Sequence, residues 1–276
     1  MIGVILASAS ALMDEVSAST GKWEMQHKRE GVYTYGFLNC FWILVVLVVI
    51  ALVKGSFVFS LASLPLFALA AVLEMAQVYS SIHAIVEAER STLGFLMILT
   101  IPLLLVADFL LGYQLTTSAL FGIGLIVVAL IFLLINHGLD KKGIGYVLFS
   151  AVNAVATISI YKYLITHYNS VEGQQIPMFV IILVFLYIMA RRRTKQNPFK
   201  YLLKREFLAQ SVSRGLSGAF ISFAYLYAPA SVITSAKRGL AVLLSIISGR
   251  AYFHEKHVLI KIMASAFVLA GLVMLV

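Results

Sequence analysis

The chain reads as one hydrophobic message written twice, about 142 residues apart. Ile2-Gly3 with Leu6, Ser8 and Ala9 returns as Ile144-Gly145 with Leu148, Ser150 and Ala151. The run from Leu125 to Leu134 returns in the same register as Phe267 to Val276. Identity between the copies is low; what repeats is the order of apolar blocks, Met1–Leu134 against Gly143–Val276. Each copy holds five such blocks, and an odd number forces the second copy to insert with the opposite orientation. The pattern predicts an all-α integral membrane protein of ten transmembrane helices in two inverted five-helix repeats. The repeats are placed at 1–138 and 139–276, joined near His137–Lys142.

The apolar stretches run about 20 residues, enough to cross a hydrocarbon core of about 30 Å. They are placed at 2–22, 32–53, 64–86, 91–111, 115–136, 143–165, 174–190, 206–227, 231–253 and 257–276. With 61% hydrophobic and only 12% charged residues, an ordinary soluble domain is excluded. Short connections leave no room for a soluble domain between spans. No basic residue precedes the first apolar run, so it reads as a permanent span rather than a cleaved signal. Cys40, the single cysteine, reads as a small buried hydrophobe.

A net charge of +9 raises the question of nucleic acid, and its placement answers it. Lys22, Lys28, Arg29, Arg90, Lys141, Lys142, the run from Arg191 to Arg205, Lys256 and Lys261 all fall on one side if ten spans alternate. Little beyond Lys54 falls on the other. By the positive-inside rule the first side is cytoplasmic, which puts both termini outside a cell (inner) membrane. The run at 191–205 is then a topology signal in contact with anionic lipid, and no nucleic-acid partner is expected.

Six ionisable residues fall well inside predicted spans: Asp14, Glu15, Glu74, Arg214, Lys237 and Arg238. Each costs roughly 2.5–3.5 kcal/mol at the bilayer centre, so lipid exposure of all six would exceed a typical folding stability. They must face one another or a watery cavity. The acids all come from the first half and the bases all from the second, so an interface between repeats would unite them. A Glu74–Arg214 pair is one such arrangement. Helical spacing supports a shared lining: Ser10, Asp14 and Ser17 in span one, Glu74, Gln77 and Ser81 in span three, Ser150, Asn153 and Thr157 in span six. Gln210, Arg214 and Ser217 in span eight and Thr234 and Arg238 in span nine add two more faces. Spans two, five, seven and ten look featureless, suited to packing against lipid or a partner.

Other motifs point away from catalysis. His254-Glu255-Lys256-His257 lacks the HExxH spacing of a zinc site, no phosphate loop exists, and no nucleophile–base pair stands at a usable spacing. No enzyme, metal or cofactor is expected. Gly122, Gly124 and Ala129 in span five, and Ala264, Ala270 and Gly271 in span ten, suit close helix packing, within the chain or in a homodimer. Pro102 is expected to kink span four, Pro229 to mark a turn, and Pro65 and Pro177 to start helices.

With these features the chain resembles the drug/metabolite transporter superfamily in its ten-span, EamA-like form. The most specific stretch is Ser235-Ala236-Lys237-Arg238-Gly239, then Phe253-His254-Glu255-Lys256 and the closing Ala264–Val276. Gly112-Tyr113 stand where the first half would carry the matching helix-end glutamate, a departure from the pattern. The resemblance implies a cavity lined by spans one, three, four, six, eight and nine. The Lys237-Arg238 pair is also similar to the phosphate-binding pair of sugar-phosphate transporters in that superfamily. The expected function is a secondary transporter of a small polar or charged metabolite, working by alternating access. Asp14, Glu15, Glu74, Asn153, Arg214, Lys237 and Arg238 are the expected substrate-binding residues, and a carboxylate is the expected carrier of any coupling proton. A multidrug or organic-cation exporter and a lipid-headgroup flippase are the alternatives.

Overall fold

The structure, a computed structural model, describes residues 1–27, 31–110, 117–136 and 141–275, the side chains at 108–110, 119, 120, 123, 130, 134, 206, 272 and 275 excepted. Among them there is no strand. The helices are α1 (Ile2–Gln26), α2 (Val32–Lys54), α3 (Leu64–Glu87), α4 (Arg90–Met97), α5 (Thr100–Leu110) and α6 (Thr117–Ile135), then α7 (Ile144–His167), α8 (Val171–Met189), α9 (Arg205–Tyr227), α10 (Ala230–Phe253) and α11 (Val258–Leu275). Among the described residues, seven helical segments are long and apolar enough to cross a membrane, α4 and α5 together counting as one. Their outward faces carry exposed Leu52, Val72, Val152, Val184 and Ile247, an apolar surface that only lipid satisfies. The protein is therefore an all-helical, multi-pass membrane protein.

Each apolar stretch read from the sequence is largely helical over its described residues. Span four is helical in two pieces, because Pro102 has no N–H for the carbonyl of Ile98 and its ring crowds that carbonyl. The backbone resorts to tighter bonds around the break, Ile98 to Phe95, Leu99 to Leu96 and Ile101 to Ile98. Two boundaries differ from expectation. Helix α1 runs to Gln26, which takes Lys22 into the packed interior rather than a loop. Pro177 lies inside α8 instead of starting it, since Ser170 caps the helix earlier by accepting the Gly173 N–H. Pro65 and Pro229 stand at helix starts as expected. Gly112-Tyr113 fall outside the described residues.

The halves interleave. Helix α9 packs tightly on α1 and α2, α3 on α7, α10 on α1 and α4, α2 on α8, and α6 on α11. Small residues permit the closest crossing: a Cβ at Gly215 would meet the Trp42 carbonyl group at 2.9 Å, and one at Gly218 the Ile43 side chain at 2.7 Å. Across the α1–α9 seam, Ser10 Oγ donates to the Ser217 carbonyl at 3.0 Å and Ser217 Oγ returns to the Ser10 carbonyl at 2.9 Å. The α6–α11 seam uses Gly122 against Gly271, with Ala129 and Ala264 fully buried, while Gly124 and Ala270 face outward. Gly122, Ala129, Ala264 and Gly271 are thus spent within the chain.

Several contacts recur between the halves. Lys22 of α1 donates to the carbonyl of Ala88, the residue that ends α3; Lys162 of α7 donates to the carbonyl of Ala228, the residue that ends α9, at 3.4 Å, and to that of Tyr225. Ser10 meets Ser217, and Ser150 meets Gln77 at 2.6 Å. Adding about 140 to Lys22, Ala88, Ser10 and Gln77 gives the other member in every case. The contact register is two residues shorter than the spacing of the apolar blocks.

Candidate functional site

Where α1, α2, α3, α4, α7, α8, α9 and α10 converge, the helices leave a cavity of about 310 Å³. Asp14, Glu15, Glu74, Arg214, Lys237 and Arg238 all line it, so the six charges read from the spans meet in one place. A seventh charge joins them. Arg90, expected in a turn, opens α4 and is only 3% exposed. Its signal in the sequence was weak, because it sits between the spans read at 64–86 and 91–111, where a snorkelling loop cation reads the same.

The charges are sorted into two groups. Asp14 bridges two bases: Arg214 ion-pairs with it, and Lys237 Nζ lies 2.9 Å from Oδ2. The expected Glu74–Arg214 pair is replaced by this one, since the close α1–α9 seam brings Asp14 to Arg214 first. Glu15 takes Arg90 Nη2 at 2.9 Å, Ser19 Oγ at 2.6 Å and the Ser248 hydroxyl. A carboxylate accepting three donors in a dry setting is well held. Glu74 and Arg238 are different. Neither makes a hydrogen bond or ion pair with any described residue, and Arg238 Nε is buried without a partner.

Asn153, expected in the site, stands one layer behind it. Its Nδ2 donates to Gln77 Oε1 and to the Leu73 carbonyl, both at 2.9 Å. Gln77 then donates to Ser150 Oγ at 2.6 Å, and Gln77 and Ser150 are the cavity wall. Asn153 is thus a positioning residue for Gln77. Spans two and seven were expected to be featureless and are not: Tyr35, Asn39 and Cys40 of α2 and Gln175 of α8 line the cavity. One amide in a long apolar run is too faint a signal for periodicity to detect. Met97, Met178, Phe179 and Ile182 form an apolar part of the wall.

One end of the cavity is tied by a buried polar knot. Glu255 accepts from the Arg90 N–H at 2.6 Å, the Ser91 N–H at 3.3 Å and the Ser91 hydroxyl, so it caps α4 from the α10–α11 turn. Lys261, 1% exposed, lies 3.2 Å from Glu255 and 3.0 Å from Glu89. The His254–His257 segment therefore presents its glutamate to a helix start, not to a metal, and no metal-binding cluster is found among the described residues. The opposite end is tied by Lys54 on Glu172 at 2.7 Å, with Ser56 on the same carboxylate. Asn169 joins there to Ser60 and Ser63.

No family model matches the chain, and no curated protein matches it in sequence.

Proposed function

We propose that this protein is a secondary transporter of a small polar or charged metabolite, with ten spans in two inverted repeats. It works by alternating access at the central cavity rather than by catalysis. The observation that carries this is the cavity itself: seven charged side chains from five helices, drawn from both halves, face one space of metabolite size. A protein with no polar cargo has no need of them.

The recurrence of contacts at a spacing of about 140 supports the inverted repeat, and the resemblance to the EamA-like drug/metabolite transporters agrees with it. Orientation with both termini outside follows from the lysine and arginine count. Transport is tested in proteoliposomes, with and without a pH gradient. Arg238→Ala is expected to abolish uptake of anionic or dipolar metabolites while leaving the purified protein folded. A rival reading, a cation exporter, is favoured by Glu74, whose carboxylate no base neutralises. Uptake confined to cations, surviving Arg238→Ala and lost in Glu74→Gln, decides for it.

Lys22 and Lys162 both sit near the C-terminal ends of their helices, α1 and α7, ends that inverted repeats put at opposite faces of the membrane, and each is fastened to the carbonyl that closes another helix. They serve as a matched pair of latches. Cys40, the single cysteine, lines the cavity and reports on access to it without engineering. Lys22→Met is expected to raise labelling of Cys40 severalfold by an impermeant maleimide from one face of the membrane, and Lys162→Met from the other. Equal effects of both variants from the same face would remove the latch assignment.

A further inference from the structure

Resting on the transport reading, we propose that the cavity takes a small metabolite carrying both an ammonium and an anionic group, the ammonium at Glu74 and the anion at Arg238. The argument begins with which charges remain. Five of the seven in the cavity are held in ion pairs with one another, with one positive charge over: Asp14 with Arg214 and Lys237, Glu15 with Arg90. Glu74 and Arg238 line the same space, form no ion pair with each other, and have no other hydrogen-bond or ion-pair partner among the described residues. A buried ion without a counter-charge is strongly unfavourable, and a ligand bearing both signs relieves two at once. A plain anion leaves Glu74 facing its negative charge, and a plain amine leaves Arg238 facing its positive one.

The repeat explains how such polarity arises. Glu74 of α3 and Arg214 of α9 stand at equivalent places, again about 140 residues apart, so the fold is two-fold while the charges are not. The base-rich side comes from α9 and α10, and the lone carboxylate from α3. The balance also has a surplus: Arg90, Arg214, Lys237 and Arg238 outnumber Asp14, Glu15 and Glu74 by one. That surplus favours a ligand of net negative charge, an aminodicarboxylate or an amino-phosphate, over a neutral zwitterion. At about 310 Å³ the cavity lies at the small end of ligand sites, and its Met178, Phe179 and Ile182 wall suits a short carbon chain.

The test is ligand-induced thermal stabilisation of the detergent-purified full chain. The probes are L-glutamate and phosphoethanolamine, their ammonium-free analogues glutarate and ethyl phosphate, and ethanolamine as the amine alone. One dipolar parent is expected to bind about 10- to 100-fold more tightly than its single-charge analogues, the loss expected for one charge-assisted contact. Whether glutamate or phosphoethanolamine wins distinguishes a carboxylate from a phosphate source. Glu74→Gln should bring the parent down to its ammonium-free analogue, and Arg238→Met to the amine. Analogues that bind as tightly as the parents, or a panel that fails to stabilise the wild-type protein, overturn the proposal. So does Glu74→Gln that keeps the preference for the ammonium. Vesicle uptake of the same panel separates the two claims. Accumulation of a single-charge compound leaves transport standing and sinks the dipolar ligand. A dipolar compound that binds selectively and is never accumulated does the reverse.

Discussion

Glu255→Ala is expected to cost about 3–5 kcal/mol of stability, the range for removing one partner of a buried ionic cluster. The carboxylate is 5% exposed and serves four donors: two backbone N–H groups at the start of α4, the Ser91 hydroxyl and Lys261. Without it, the first turn of α4 keeps orphaned donors in a buried setting, and Lys261 retains Glu89 alone. Because the knot joins the α10–α11 turn to α4, the packing of α10 against α4 should loosen together with the cap. Glu255→Gln, which keeps an acceptor and loses the charge, should lie between the two. Melting of the detergent-purified protein reads the effect, with exposed Lys256→Ala as the comparison. Equal melting of Glu255→Ala and Lys256→Ala would remove the cap from the account of stability.

Asp14→Asn should cost less, about 1–3 kcal/mol because its ion pairs are partly exposed, and for a different reason. Among the described residues, Asp14 is the one carboxylate within ion-pair reach of Arg214 and Lys237, and Arg238 follows directly on α10. Neutralising it leaves three cations close together in one partly open cavity, where like charges repel. The diagnostic is a double-mutant cycle. Asp14→Asn combined with Lys237→Met should be more stable than Asp14→Asn alone, because the second change removes one of the stranded charges. Transport should stay lost in the double variant. Additive destabilisation by the two changes would mean that the Asp14–Lys237 contact carries no coupling.

Much of the helical layout was legible, because a long apolar run without a water-facing stripe has few alternatives to a buried or lipid-embedded helix. The break in span four was legible from Pro102 for an equally local reason. The six intramembrane charges were legible as a group, since each is too costly to face lipid. Their partners were not. Asp14 and Glu15 are adjacent in α1, yet one turns to Arg214 and Lys237 and the other to Arg90, a choice made by helix crossings and depth. Arg90 and Glu255 escaped notice as site and cap because a charge near a helix end has the same sequence signature whether it snorkels to water or is buried.

Sequence by itself thus determined the solvent, the helices, the doubled pattern and the identity of the costly charges, all properties that a single segment carries. Tertiary structure decided how those charges divide. Small residues at Gly215, Gly218, Ser10 and Ser217 let α9 approach α1 and α2 closely, and that approach carries Arg214 to Asp14. Glu74 and Arg238 are left without partners across the same cavity. The physical reason is range: desolvation acts on each residue wherever it stands, whereas an ion pair requires two side chains within a few ångströms. Only the packed helices fix that distance.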